Sequence, residues 1–181
     1  VLSYEASQII KLYRQVLGRD ADQAGIEYWF QRIKAGESYG VVASGIFESD
    51  ERLTPIIEQY YRDFLLREPD AAGVAFWRDQ VWKVDGGPDN VIAGMISSPE
   101  FYASAGGTDT LWLNEMYRRL LNREADDAGR QFWLGELASG ELDRAGVVLG
   151  FIRSTENFIT LVNGFYSQYL GRAPTLAELN S

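Results

Sequence analysis

The sequence contains no cysteine and no histidine. Without cysteine the chain can form no disulfide bond, thiolate nucleophile or zinc–thiolate site. Without histidine it cannot assemble a Ser-His-Asp triad. No run of residues approaches the roughly 18 apolar positions of a membrane-spanning helix, so we expect no membrane insertion.

Basic residues are also scarce: 17 Lys and Arg stand against 26 Asp and Glu, for a formal net charge of -9. A chain this acidic repels nucleic acid and anionic lipid unless a local basic patch intervenes. We therefore expect no nucleic-acid partner. The sequence also lacks a glycine-rich phosphate loop, a GxSxG motif and a cluster of metal ligands. We predict that the protein is not an enzyme.

What the sequence does contain is one motif in three copies. The copies read YRQVLGRDADQAGIEYW at 13–29, YRDFLLREPDAAGVAFW at 61–77 and YRRLLNREADDAGRQFW at 117–133. Their tyrosines are 48 and 56 residues apart, and a partial fourth copy begins at Tyr166. Each copy is followed by a closing Ser-x-Glu, at 49–51, 98–100 and 154–156. Periods of this size indicate stacked supersecondary units.

The apolar residues around the motif recur with the period of a helix. We predict an all-α fold of tandem helical repeats of about 50 residues, stacked into one compact or slightly elongated array. The repeats form a single domain over 1–181, with units at 3–53, 54–109 and 110–158 and a partial fourth unit at 159–181. The chain begins at Val1 and ends within the fourth copy, as a piece of a longer protein would.

Local signals place several helix ends. Thr54-Pro55 is predicted to start a helix, with the threonine as N-cap and the proline at the first helical position. Ser49, Ser98 and Ser154 are each predicted to cap the helix that follows them, most clearly in Ser98-Pro99-Glu100. The second helix of the first repeat is predicted to end near Ala35, before Gly36. The apolar face of this helix and its counterparts is predicted to include, and to bury, Trp29, Trp77 and Trp133, with Phe132 beside the last.

The loop inside each motif is interpreted as scaffolding. An aspartate in each loop is predicted to be an N-cap. An arginine three residues earlier is predicted to donate a pair of hydrogen bonds to that aspartate or to the carbonyls that end the first helix. A glycine three residues after the aspartate is predicted to permit a close approach between helices, because glycine otherwise costs a helix about 1 kcal/mol relative to alanine. These structural residues are Arg19, Asp22 and Gly25, then Arg67, Asp70 and Gly73, then Arg123, Asp126 and Gly129.

Calcium is the alternative ligand for this loop. Asp20 to Gly25 matches the start of an EF-hand loop, but position five is Ala24 and position twelve is Gln31 instead of the required glutamate. We expect no cofactor and assign no metal ligand, with calcium kept as the alternative.

Residues that break the repeat are freer to serve a partner. The second unit breaks it most, between Trp82 and Asn90 and around Trp112. An aromatic ring beside polar loop residues supplies a stacking face and hydrogen bonds, which sugar recognition requires. The predicted glycan-contact residues are Trp82, Asp85, Asp89, Asn90 and Trp112. The alternative for Trp82 and Trp112 is packing between repeats.

The pattern Y-x-x-x-L-x-R-x-x-D-x-A-G-x-x-[YF]-W, with its Ser-x-Glu closure, resembles the bacterial repeat family called domain of unknown function 4214. It is also distantly similar to the helical anchoring region of some surface-layer proteins and to phycobilisome linker domains. The resemblance implies an accessory module in a large secreted or surface protein, often beside calcium-binding Gly/Asp repeats. Those Gly/Asp repeats do not occur in this chain.

Together these observations favour a non-catalytic, extracellular or cell-surface binding module of a larger bacterial protein. We expect it to recognise surface glycan or lipopolysaccharide and to neighbour other domains of the same polypeptide. The alternative is a structural module whose helices bind other protein chains. A glycan array separates the two hypotheses.

Overall fold

The structure is a computed structural model, and it describes residues 3–81, 83 and 87–154. Every regular element in these residues is helical, and they contain no strand. The predicted all-α fold of helical repeats is therefore confirmed. By its packing the chain divides into two compact units, Val1–Gln59 and Tyr60–Ser181. The single domain expected over 1–181 and its repeat boundaries stay a prediction, and the partial fourth repeat lies outside the described residues.

The first compact unit contains four helices, the last of which ends one residue beyond it. The helices are α1 (Tyr4–Leu17), α2 (Gln23–Lys34), α3 (Tyr39–Phe47) and α4 (Asp50–Tyr60). Helix α1 packs against both α2 and α3. The core between them consists of Ile9, Tyr13, Trp29, Val42 and Ile46.

The second compact unit centres on one apolar helix. Its elements are a π-helix (Tyr61–Leu65), α5 (Ala71–Gln80), α6 (Pro88–Ile96), α7 (Pro99–Ser104), α8 (Asp109–Leu121), α9 (Asp127–Ser139) and α10 (Arg144–Ile152). Helix α6 packs against the π-helix, α5, α7 and α10, while α8 packs against α9. The buried side chains include Met95 and Ile96 on α6, Leu113 on α8 and Phe151 on α10. Burying each such side chain contributes about 1.5–3 kcal/mol, so this centre holds the unit together. No helix among the described residues is long and apolar enough to cross a membrane.

The predicted helix start at Thr54-Pro55 is wrong. Helix α4 already begins at Asp50, and Pro55 lies inside it. The Ser49 side-chain oxygen accepts a hydrogen bond from the backbone N–H of Arg52, and the Ser49 carbonyl accepts one from the N–H of Leu53. The closing serine of the motif therefore starts the helix. A proline inside a helix removes one backbone donor and crowds the carbonyl four residues earlier, but α4 continues past Pro55 to Tyr60.

The second repeat shows what its longer sequence does to the same segment. Ser98 caps α7, as predicted, by accepting a hydrogen bond from the N–H of Phe101 at 3.1 Å. The chain then turns through Gly106 and Gly107, which have φ of 109° and 70°. Thr108 caps a new helix, α8. The insertion therefore places a turn between two helices, α7 and α8. The corresponding stretch of the first repeat has no such turn.

Candidate functional site

Each loop aspartate is an N-cap. The side chain accepts a hydrogen bond from the backbone N–H three residues later, at 2.7 Å for Asp22, 2.6 Å for Asp70 and 2.8 Å for Asp126. The capped helices are α2, α5 and α9. The interpretation of these aspartates as scaffolding therefore agrees with the structure.

Each loop arginine was expected to reach that aspartate or the carbonyls that end the first helix, but Arg19 and Arg67 each bind a glutamate instead. Arg19 donates to Glu51 through Nε at 2.5 Å and Nη2 at 2.7 Å. Arg67 donates to Glu100 through the same atoms at 2.5 and 2.9 Å. Both glutamates belong to the closing Ser-x-Glu, so the two recurring motifs of a repeat bind each other. The aspartate is already engaged as a cap, whereas the glutamate presents both oxygens to the planar guanidinium. We call this ion pair between the loop arginine and the closing glutamate the clasp.

The loop arginines share two further contacts in all three repeats. Each guanidinium lies over the motif tyrosine, 5.2 Å from the Tyr13 centroid, 4.8 Å from Tyr61 and 5.3 Å from Tyr117. Each Nη1 donates to the carbonyl of the next residue, at 2.8, 3.3 and 2.9 Å in turn. Arg123 approaches Asp126 only at 4.0 Å. The glutamate that would complete its clasp, Glu156, lies outside the described residues.

The clasp predicts a pH-dependent contribution to stability. Hydrogen bonds from Arg67 hold the pKa of Glu100 below its usual 4.5. A carboxylate with a depressed pKa in the folded state stabilises the fold above its unfolded pKa, and that contribution is lost as the pH falls through the folded value. We expect Glu100→Gln to lower the free energy of unfolding by about 0.5–1 kcal/mol at pH 7, a small value because the pair is nearly half exposed. In urea titrations this deficit should shrink as the pH falls below 4.5. A deficit that stays constant over that range would show that the clasp does not act through its charge.

A second arginine–carboxylate pair occupies the position where calcium was the alternative. Arg14 binds Asp20, Arg62 binds Glu68 and Arg118 binds Glu124, each across six residues. The pKa of Asp20 is lowered by its hydrogen bond from Arg14, so this carboxylate is already charged and paired. In the part of the chain that the structure describes, no group of three metal-ligating side chains occurs. The loop carboxylates are therefore engaged by arginines and backbone donors.

The motif glycine makes room for the motif tyrosine. A Cβ on Gly25 would lie 2.6 Å from the Tyr13 hydroxyl, and one on Gly129 would lie 2.7 Å from that of Tyr117. The hydroxyl in turn accepts a hydrogen bond from the motif tryptophan, Nε1 of Trp29 lying 3.2 Å from Tyr13. The expected close approach between helices is thus the contact of a tyrosine with a glycine backbone.

A second recurring glycine, missed in the sequence, lies on the third helix of each repeat. A Cβ on Gly150 would lie 3.1 Å from the Trp133 indole, and Gly45 and Gly94 are closer still to Trp29 and Trp77. The motif tryptophans therefore pack against the third helix. Trp29 is buried, but Trp77 and Trp133 are only partly buried, so the prediction that all three would be buried is wrong for two of them.

The structure does not assemble the predicted glycan surface. Trp82 and Asp85 lie outside the described residues. Asp89 and Asn90 lie in the first turn of α6, with Asp89 3.9 Å from Arg153. Trp112 is fully buried, and its Nε1 donates to the Ile96 carbonyl at 2.7 Å. Trp112 offers no face to a ligand, and its assignment as a contact residue is wrong. It breaks the repeat because it fills the core where α8 meets the end of α6.

A different aromatic position is exposed in every repeat. Tyr28, Phe76 and Phe132, each directly before the motif tryptophan, are 54%, 53% and 57% exposed. Each ring meets the neighbouring indole edge-on, with centroids 4.8, 5.0 and 4.8 Å apart. The prediction that placed Phe132 on the buried face is therefore wrong. The sequence carried no clear signal for this, because adjacent helical residues point about 100° apart and both can be buried, as Met95 and Ile96 are on α6.

The surroundings of this position also recur. Three and four residues before the ring stand glycine and alanine, which share its side of the helix and leave it uncovered. Three and four residues after it, polar side chains border the ring: Gln31 and Arg32, then Asp79 and Gln80, then Glu136. Arg32 donates to the Tyr28 hydroxyl at 2.9 Å. We call the ring with its small and polar borders the aromatic platform.

Comparison with protein families identifies the repeat. The model of Domain of unknown function (DUF4214) matches residues 5–56, 54–105 and 92–161. The chain belongs to the DUF4214 family. No curated protein and no solved structure matched the chain. Each DUF4214 match contains one motif and one aromatic platform, so the platform belongs to the repeating unit itself.

Proposed function

We propose that this chain is a non-catalytic binding module of an extracellular or cell-surface protein, and that it binds glycan through its aromatic platforms. The observation that carries the proposal is the exposure of Tyr28, Phe76 and Phe132 at one equivalent position. The helix packing, the caps and the clasp use other residues of the motif. Those contacts do not require an exposed aromatic, yet one is present at the same position in all three repeats.

Glycan fits the chemistry of the platform. A sugar ring has an apolar face of C–H groups and a rim of hydroxyls. The exposed aromatic ring offers a flat surface on which the apolar face of the sugar can stack. The amide and carboxylate groups of Gln31, Asp79, Gln80 and Glu136 border the ring and can bind hydroxyls. The exposed alanine four residues before each ring has a short side chain, which leaves room for a ligand at that edge of the ring.

The net charge of -9 favours uncharged sugars at these platforms over anionic ones. Lipopolysaccharide, the other expected ligand, carries phosphate groups that this charge would repel. We therefore expect neutral saccharides among the strongest ligands of the platforms.

A glycan array tests the proposal. We expect the wild-type chain to bind neutral saccharides and Phe132→Ala to bind them more weakly while keeping its circular dichroism spectrum. Val41→Ala is the matched control, since Val41 is another exposed apolar residue, and it should bind as the wild type does. No binding by the wild type at millimolar ligand would contradict the proposal. That result would favour the alternative, in which the same rings bind helices of another protein chain.

A further inference from the structure

Three arginines line one groove in the second compact unit. The groove has a volume of about 420 Å³ and is lined by Arg62, Asp63, Phe64, Leu66, Arg118, Arg119, Leu120 and Asn122. Three guanidiniums face one carboxylate in this lining. The volume is in the range of small-molecule sites. These arginines also pair with Glu68, Glu124 and Glu115, so the groove is lined by a cluster of arginine–carboxylate ion pairs.

The groove also lies where the backbone departs from the repeat. The first helix of the second repeat ends in a π-helix, Tyr61–Leu65, which α1 and α8 do not contain. Leu66 follows in the left-handed region, with φ of 54°, and its side chain is 66% exposed. The equivalent residues are Gly18 and Asn122, two types that adopt this conformation more readily. Single-turn π-helices and left-handed non-glycine residues concentrate at functional sites.

The carboxylates that pair with these arginines are easily replaced. Arg62 donates to Glu68 at 3.1 Å, and Arg118 donates to Glu124 at 2.8 Å and more weakly to Glu115 at 3.5 Å. The side chains of Glu68 and Glu124 are 73% and 71% exposed. Exposed ion pairs contribute little to stability, so an incoming anion can exchange for either glutamate at small cost.

The third arginine is held more firmly. Arg119 donates to Glu115 at 2.8 Å and to the Asp63 carbonyl at 3.4 Å. Its side chain is the least exposed of the three. Arg119 therefore gives the groove one firmly held guanidinium, while the side chains of Arg62 and Arg118 are more exposed.

We propose that this groove binds an anionic group, a phosphate or a carboxylate, through Arg62 and Arg118, with Arg119 as a third, more firmly held guanidinium in the lining. Guanidinium groups bind both anions with paired hydrogen bonds. Bound anion displaces Glu68 and Glu124 into solvent, and Leu66 forms an apolar rim beside it. The site is separate from the aromatic platforms and does not depend on their function.

Calorimetry with defined probes tests the site. Inorganic phosphate, glucose 1-phosphate and galacturonate are titrated into the protein at low salt, with glucose as the uncharged control. We expect the three anions to bind and glucose to give no signal that depends on the arginines. Tighter binding of glucose 1-phosphate than of phosphate assigns the site to a sugar-borne anion, and equal binding assigns it to a free anion.

Matched variants locate the binding. Arg62→Gln and Arg118→Gln should each weaken phosphate binding about tenfold, because each removes one charged pair of donors. Arg14→Gln is the control, since Arg14 forms the equivalent pair with Asp20 and is not part of the groove. Added salt should weaken binding to the wild type. Absence of phosphate binding by the wild type, or an equal loss in Arg14→Gln, would overturn the proposal. Phe132→Ala should leave phosphate affinity unchanged, which separates this result from the test of the platforms.

Discussion

Trp112→Ala is expected to lower the free energy of unfolding by about 3–5 kcal/mol. The indole is fully buried on α8, and its N–H is the donor to the Ile96 carbonyl. Truncation removes the apolar contacts of the indole, leaves a cavity and removes the hydrogen bond to the Ile96 carbonyl. Chemical denaturation followed by far-ultraviolet circular dichroism measures the loss.

Two variants show where that loss arises. Trp112→Phe keeps a large ring but removes the donor, and it should lose about 1–3 kcal/mol, with the missing hydrogen bond as the main cause. Leu111→Ala changes the neighbouring residue, which is about half exposed, and should change stability by less than about 0.5 kcal/mol. If Trp112→Ala were as mild as Leu111→Ala, Trp112 would not be a core residue, and its role as a ligand contact would be open again.

Gly129→Ala is expected to destabilise the protein by about 1–3 kcal/mol. Alanine ordinarily stabilises a helix interior by about 1 kcal/mol relative to glycine, so the expected sign is the reverse of helix propensity. The cause is the Tyr117 hydroxyl, which would lie 2.7 Å from the new Cβ. Tyr117 is fully buried and packs on Phe151 with ring centroids 4.7 Å apart, so it cannot move away freely.

The same helix supplies the control. Gly135 also lies in α9, and a Cβ there would meet nothing within 4 Å. Gly135→Ala should therefore stabilise the protein by about 0.5–1 kcal/mol. Adding Tyr117→Phe to Gly129→Ala should recover part of the loss, because the clashing oxygen is gone. Stabilisation by both alanines would show that the tyrosine does not constrain the motif glycine.

The local features of the fold could be predicted from the sequence. Asp22 and Ser98 were recognisable as caps because each binds a backbone N–H only three residues away. The clasp was not predicted, although both of the motifs that form it had been identified. Arg19 and Glu51 are 32 residues apart, and their meeting depends on how α1 and α4 are placed by the core. The start at Thr54-Pro55 was misplaced because Ser49, five residues earlier, is the better cap.

The candidate site was harder to predict, for a physical reason that Trp112 and Phe132 illustrate. A residue that breaks the repeat was expected to serve a ligand, but Trp112 breaks it to fill the core of a repeat with an insertion. A residue that obeys the repeat was expected to be structural, yet Phe132 and its equivalents are exposed. Conformity to a repeat therefore does not separate packing residues from surface residues. Packing residues and surface residues differ in the direction that each side chain takes from its helix.

The aromatic platforms are tested most directly by one calorimetric titration. The wild type and the triple variant Tyr28→Ala, Phe76→Ala, Phe132→Ala are each titrated with the neutral saccharide that the array ranks first. All three side chains are about half exposed, so we expect the triple variant to keep its helical circular dichroism spectrum. We predict that the wild type releases or absorbs heat on binding and that the triple variant does not bind. A folded triple variant with the affinity of the wild type would contradict the proposal that these rings bind glycan.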